Sequence, residues 1–166
     1  MTRARSAVSA ALTLALLVPL ASCRVAPAAE SAEAAEAPAS TAQEAVELEY
    51  LNPPGASGRA PYSEAVRVDD ILPLSGKTGL AGRVGGIQGE TRAVLESIEE
   101  AVERYGSSMD RVFKCLVILA DISEFSAMNE VYTSFFEEGR RPARSTFAAS
   151  GLAAGARVEI ECMAAL

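Results

Sequence analysis

The chain has 166 residues, 22 of them acidic and 15 basic, a formal net charge of −7, and no histidine or tryptophan. Without imidazole there is no Ser-His-Asp triad, no Cys-His pair and no histidine-bearing metal site, so any catalysis falls to carboxylates, Arg, Lys, Tyr, hydroxyls or backbone. An acidic chain is also a poor nucleic-acid binder, because neutralising phosphates takes clustered Lys and Arg. Three cysteines without a C-x-x-C pair make neither a disulfide framework nor a structural zinc site, while 49% apolar residues are enough to fill one core.

In chain order, residues 1–22 read as an address. Arg3 and Arg5 give a positive start, and Ala7 to Leu20 is an apolar run too short to span a bilayer but suited to a signal peptide. The run ends in Leu20-Ala21-Ser22-Cys23, which resembles a bacterial lipobox. That resemblance implies cleavage before Cys23, lipidation of its sulfur and export to the cell envelope. Arg24, rather than Asp, after the cysteine implies the outer membrane where two membranes exist. The protein would then touch a membrane only through its lipid anchor. Residues 23–49, rich in Ala, Glu, Ser and Pro, carry too little apolar bulk to pack and are expected to be a disordered tether. The folded domain is expected at 50–166.

Ala65–Val68 and Ile71–Ser75 flank Asp69-Asp70 as a predicted hairpin, with Pro73 pushing its strand to an edge or a bulge. Gly82 to Gly89 lacks the Lys of a phosphate loop and reads as a connecting loop. Val94, Leu95, Ile98, Ala101, Val102 and Tyr105 share one helical face opposite Glu96, Glu99, Glu100 and Glu103, and Gly106 ends that helix. Val112–Leu119 is a near-continuous apolar strand. Ser123 is the expected N-cap of a second helix that points Phe125, Met128, Tyr132 and Phe135 inward and closes at Gly139. Ala143–Ala149 and Arg157–Ala164 complete the strands, the last alternating Val158, Ile160 and Cys162 against Arg157, Glu159 and Glu161. Cys115 and Cys162 are expected as small core residues, with a disulfide as the alternative. Lys77 and Lys114 are the only lysines, and nothing marks either as a Schiff-base residue.

This order predicts an α+β domain, a mixed sheet with two helices on one face. The other face is left bare although Cys115-Leu116-Val117-Ile118-Leu119 is apolar on both sides, so other copies of the chain are expected to cover it.

Pro61-Tyr62-Ser63-Glu64-Ala65-Val66, Leu74-Ser75-Gly76, Thr91-Arg92, Met128-Asn129-Glu130-Val131-Tyr132, Pro142-Ala143-Arg144-Ser145-Thr146 and Val158-Glu159-Ile160-Glu161 occur in an order that resembles the Rid (YjgF-like) imine deaminases. The departures are Pro73, a shortened stretch between Gly79 and Thr91, and Glu90 where Gln is common. The resemblance implies a chorismate-mutase-like fold, a homotrimer with ligand clefts between subunits, no cofactor, no metal, and hydrolysis of 2-imino or 2-enamino acids to 2-keto acids and ammonia.

It also implies residue roles. Arg144 and Thr146 lie on one face of an extended strand, and Arg144, whose fork fits a carboxylate, would hold the substrate. The plainer reading of Arg144 is a pairing with a structural acid such as Glu161. Glu159 would polarise the attacking water, although by alternation it reads as the wet side of a strand. Tyr62, Ser75, Gly76 and Asn129 would shape the cleft, with a strand end and a loop-tying amide as plainer readings of Ser75-Gly76 and Asn129. A non-enzymatic module binding a small carboxylate or a partner protein is the second reading. The ribonuclease activity ascribed to some relatives is disfavoured by the acidic balance.

Overall fold

The structure is a computed structural model in which residues 45–56 and 60–166 are described. The expected signal peptide, Cys23 and the tether up to residue 44 lie outside the described residues.

The strands are β1 (Leu48–Leu51), β2 (Ala65–Val68), β3 (Ile71–Pro73), β4 (Lys77–Thr78), β5 (Val112–Leu119), β6 (Ala143–Ala148) and β7 (Val158–Ala165), with helices α1 (Gly86–Arg104) and α2 (Phe125–Thr133). They form one mixed sheet in the order β1-β2-β3-β7-β5-β6, with β4 also on β7. Among the described strands only β5 and β6 run parallel.

The folded part starts earlier than expected. Leu48 to Leu51 pair with Val68 to Ala65, two residues inside the expected tether, because an edge strand can keep Glu49 in solvent while it supplies a ladder. The β2–β3 hairpin turns at Asp69-Asp70 as expected, with Asp69 at φ 50, a conformation Asp tolerates. Pro73 lies beside a central strand, not at an edge. The strand breaks after it and resumes as β4, with Leu74 N–H donating to Cys162 O (2.9 Å) and Ser75 N–H to Glu64 O (2.9 Å) across the break.

The glycine-rich segment is not an open connection. Leu80–Gly85 is a 3₁₀ turn and α1 begins at Gly86, well before Thr91. A Cβ on Gly82 would meet Gly89 O at 1.9 Å, and one on Gly79 would meet Glu90 O at 2.1 Å, so these glycines permit close backbone approach. Thr91, Val94, Leu95, Ile98, Ala101 and Val102 of α1 are buried, and Gly106 at φ 88 ends it as expected. Glu90 is fully buried and accepts the Arg157 N–H at 2.8 Å.

At the second helix the expected cap shifts. The Asp121 carboxylate, not Ser123, accepts the first N–H, that of Ser123 (2.9 Å), and a 3₁₀ turn leads into α2. The helix stops at Thr133, well short of Gly139, and the hydroxyls of Thr133 and Ser134 bond back to the carbonyls of Asn129 and Val131. Met128, Tyr132 and Phe136 are buried, whereas Phe135 is partly buried and Phe125 is 38% exposed.

Cys115, Val117 and Leu119 of β5 and Val158, Ile160, Cys162 and Ala164 of β7 pack with both helices in one core. The two cysteines are register partners, Cα to Cα 4.1 Å, and form a disulfide, which corrects the expectation of free thiols. By the same register Leu48, Tyr50, Ile71, Met163 and Phe147 fall on the other face, 37–66% exposed. That uncovered face is as apolar as expected.

Candidate functional site

The residues expected at the site form two groups. In the first, Arg144 stands opposite Cys115 on β6, so its side chain leaves the sheet on the helix side. Its guanidinium donates to Asn129 Oδ1 on α2 at 2.7 Å, and its central carbon lies 4.4 Å from the centre of the Tyr132 ring and 5.6 Å from that of Phe125. No carboxylate pairs with it among the described residues. Glu161 stands opposite Leu116, on the other face, so the pleat excludes it as the structural partner of Arg144.

Thr146 is opposite Val117 on the same face as Arg144, with its hydroxyl buried and unpartnered. Asn129 does not tie down a loop here: its side-chain oxygen accepts from Arg144. The Tyr132 hydroxyl is likewise buried without a partner. Burial pushes it up to about 12, although the Arg144 charge pulls the other way.

The second group surrounds the break between β3 and β4. Glu159 on β7 stands opposite Ile118 and Thr78, hence on the uncovered face. Its carboxylate lies against Gly76, where a Cβ would come within 2.3 Å of Oε1, so any side chain at that position would displace the Glu159 carboxylate. Ser75 donates its hydroxyl to Ser63 O at 2.7 Å. Tyr62, Ser75 and Gly76 line a cleft of about 220 Å³ together with Asn52, Glu64 and Lys77. One chain therefore assembles Arg144, Asn129 and Thr146 as one group, and Tyr62, Ser75, Gly76 and Glu159 as another. It does not bring Arg144 and Glu159 together.

Two features escaped the sequence reading. Glu64 accepts from Lys77 Nζ, from Arg104 (2.7 Å) and from the Tyr105 hydroxyl (2.6 Å). Burial alone would raise its carboxyl, but the hydrogen bonds from Lys77 and Tyr105 and the charges of Lys77 and Arg104 outweigh it and hold it below the usual range. The one signal was the Glu in Tyr62-Ser63-Glu64, whose partner Lys77 is brought near only by the hairpin. The second feature is the ring pair under Arg144. Phe125, Asn129 and Tyr132 share one face of α2 at helical spacing, a pattern that equally describes plain core.

Residues 52–166 match the family model described as Endoribonuclease L-PSP. The chain is 38% identical over 116 residues to 2-iminobutanoate/2-iminopropanoate deaminase of Mus musculus, covering 67% of this chain and 84% of that protein. It is 40% identical over 116 residues to the protein of the same name from Capra hircus, covering 67% of this chain and 82% of that protein. The crystal structure of a Rid-family protein from Yersinia pestis superposes with a TM-score of 0.64 at 32% identity, covering 72% of this chain and all of the other. With the family model matched over residues 52–166, these relatives at 38–40% identity and the mixed sheet with two helices on one face, the chain belongs to the Endoribonuclease L-PSP family, the YjgF/Rid family.

Proposed function

We propose that this protein is an imine deaminase that hydrolyses 2-imino acids and their 2-enamino tautomers. The observation that carries the reading is Arg144, a guanidinium half-buried on aromatic rings with no acid paired to it among the described residues, which suits a substrate carboxylate. The names of the relatives, 2-iminobutanoate/2-iminopropanoate deaminase, point to the same chemistry.

In the reaction Glu159 holds a water and takes a proton from it as the oxygen attacks the imine carbon. The C=N electron pair moves onto nitrogen, which is then protonated. The amine nitrogen of the resulting carbinolamine takes a second proton, from Glu159, and its C–N bond breaks as the hydroxyl returns a proton to Glu159, leaving a 2-keto acid and ammonia. Carboxylate, water and substrate nitrogen carry every proton, so no imidazole is needed.

The complete site takes two copies of the chain. Arg144 and Glu159 leave opposite faces of the sheet, and the face that carries Glu159 is apolar and uncovered. In a homotrimer the bare faces pack together, and Arg144, Asn129 and Thr146 of one copy meet Tyr62, Ser75, Gly76 and Glu159 of the next. The protein acts outside the cytoplasm, anchored through a lipidated Cys23. The Cys115–Cys162 disulfide supports an oxidising compartment.

The test is to add the purified domain to freshly generated 2-iminobutanoate and follow ammonia and 2-keto acid release. Faster hydrolysis, lost in Arg144→Ala and in Glu159→Gln while the oligomer persists, is expected. Binding of 2-oxobutanoate through Arg144 without turnover would make the protein a binding module instead. A monomer at micromolar concentration would overturn the shared site, and fatty-acid labelling unaffected by Cys23→Ser would overturn the anchor.

A further inference from the structure

We infer that Tyr132, seconded by Phe125, is a positioning residue for the anion site, a ring platform that holds the Arg144 guanidinium flat and keeps its charge available. The inference rests on the reading of Arg144 as the carboxylate binder. A half-buried cation needs compensation, and the usual compensation is an acid, as Glu64 supplies for Lys77 and Arg104. An acid beside Arg144 would compete with the substrate carboxylate for the same N–H donors. A ring face compensates differently. Its quadrupole attracts the cation across the guanidinium plane and uses none of the in-plane N–H groups.

The geometry fits this division. The Tyr132 ring lies under the guanidinium at 4.4 Å and Phe125 flanks it at 5.6 Å, while one amino group is tied to Asn129 at 2.7 Å. The remaining donors stay in plane for a bidentate partner. Tyr132 cannot swing away, because it is only 2% exposed and its ring contacts Phe136 at a centroid distance of 4.9 Å. The working part is the ring, not the hydroxyl. The hydroxyl is buried and finds no partner among the described residues, so it contributes no bond there that the platform needs.

The experiment compares Tyr132→Phe, Tyr132→Leu, Phe125→Leu and Asn129→Asp by KM and kcat for 2-iminobutanoate and by Kd for 2-oxobutanoate. Tyr132→Leu is expected to raise KM and Kd by about five- to tenfold, with kcat changed far less. Tyr132→Phe is expected to restore both to near the wild-type values. Asn129→Asp would set a carboxylate on the guanidinium, and is expected to raise KM more than tenfold while the fold is kept or strengthened.

A spectroscopic readout stands apart from activity. The Nε–H resonance of Arg144, assigned by its loss in Arg144→Lys, should be shifted upfield by the ring below it. The shift should persist in Tyr132→Phe, vanish in Tyr132→Leu and shrink in Phe125→Leu. If Tyr132→Leu does not fold, the wild-type shift and the half-exposed Phe125 variant decide the matter. An unshifted resonance overturns the platform, as does a Tyr132→Phe defect equal to that of Tyr132→Leu. A wild type that neither hydrolyses imines nor binds 2-oxobutanoate with the shift in place would instead overturn the proposed function and leave the platform standing.

Discussion

Lys77 and Arg104 share the Glu64 carboxylate at the β3–β4 break, whereas Arg144 on β6 is held by an amide oxygen and two rings. The two clusters hold their cations by opposite means. The first binds charge to charge and adds a phenol, so its donors are engaged inside the protein. The second balances charge with π-faces and leaves donors pointing outward. An internally satisfied ion cluster stabilises the fold, while a cation compensated only by dipoles and quadrupoles stays ready for an anion from outside.

Removing the shared acid should have the largest effect. Glu64→Ala leaves two cations and a phenol around an empty position, and a loss of about 3 kcal/mol in urea unfolding is expected. A loss below about 1 kcal/mol would mean that this cluster is as open as the Arg144 site. Arg144→Ala should act the other way round. It is expected to cost about 1.5–3 kcal/mol in 2-keto acid binding, roughly 10- to 150-fold, with unfolding stability within about 0.5 kcal/mol of wild type. Arg144→Lys should be nearly as damaging, because an ammonium lacks the planar fork.

The smallest effect is a pH dependence. The Glu64 carboxyl is held below its ordinary 4.5 in the folded state, so its stabilisation is present above that value and is lost as pH falls through the folded-state value. Glu64→Gln should therefore lose less stability than wild type between pH 4.5 and 3, as read from urea midpoints. Parallel curves for the two proteins would show that the carboxylate gains nothing from its cations.

Long periodic segments were legible without coordinates. The apolar face from Val94 to Val102, the run Val112–Leu119 and the alternation Val158–Cys162 fix α1, β5 and β7, because their periods are set by local geometry. What escaped depends on contacts far apart in the chain. β1 is a short strand held by Ala65–Val68, and β4 is two residues long and exists only because β7 offers a ladder. The early start of α1 hides in glycines that look like a loop until Gly82 and Gly89 are seen backbone to backbone. The disulfide needed the β5–β7 register, which no spacing reveals.

The candidate site divides in the same way. The Pro142-Ala143-Arg144-Ser145-Thr146 run singled out Arg144 and the resemblance singled out Asn129, but the contacts of Arg144 with Asn129 and Tyr132 follow only from the packing of α2 on β6. That Arg144 and Glu159 point to opposite faces depends on the pairing of β5 with both β6 and β7. The Glu64 cluster joins the residue just before β2 to β4 and to the C-terminal end of α1, which no local pattern connects.

The disulfide lies in the core, with Cys115 1% and Cys162 2% exposed. Exchange requires an attacking thiolate to reach a sulfur, so small thiols must wait until the sheet opens between β5 and β7. The oxidation state is consequently a memory. It records the redox conditions under which the chain folded and not those around the finished protein. Alkylation of the native protein in the presence of glutathione should label neither cysteine, and the same treatment in denaturant should label both.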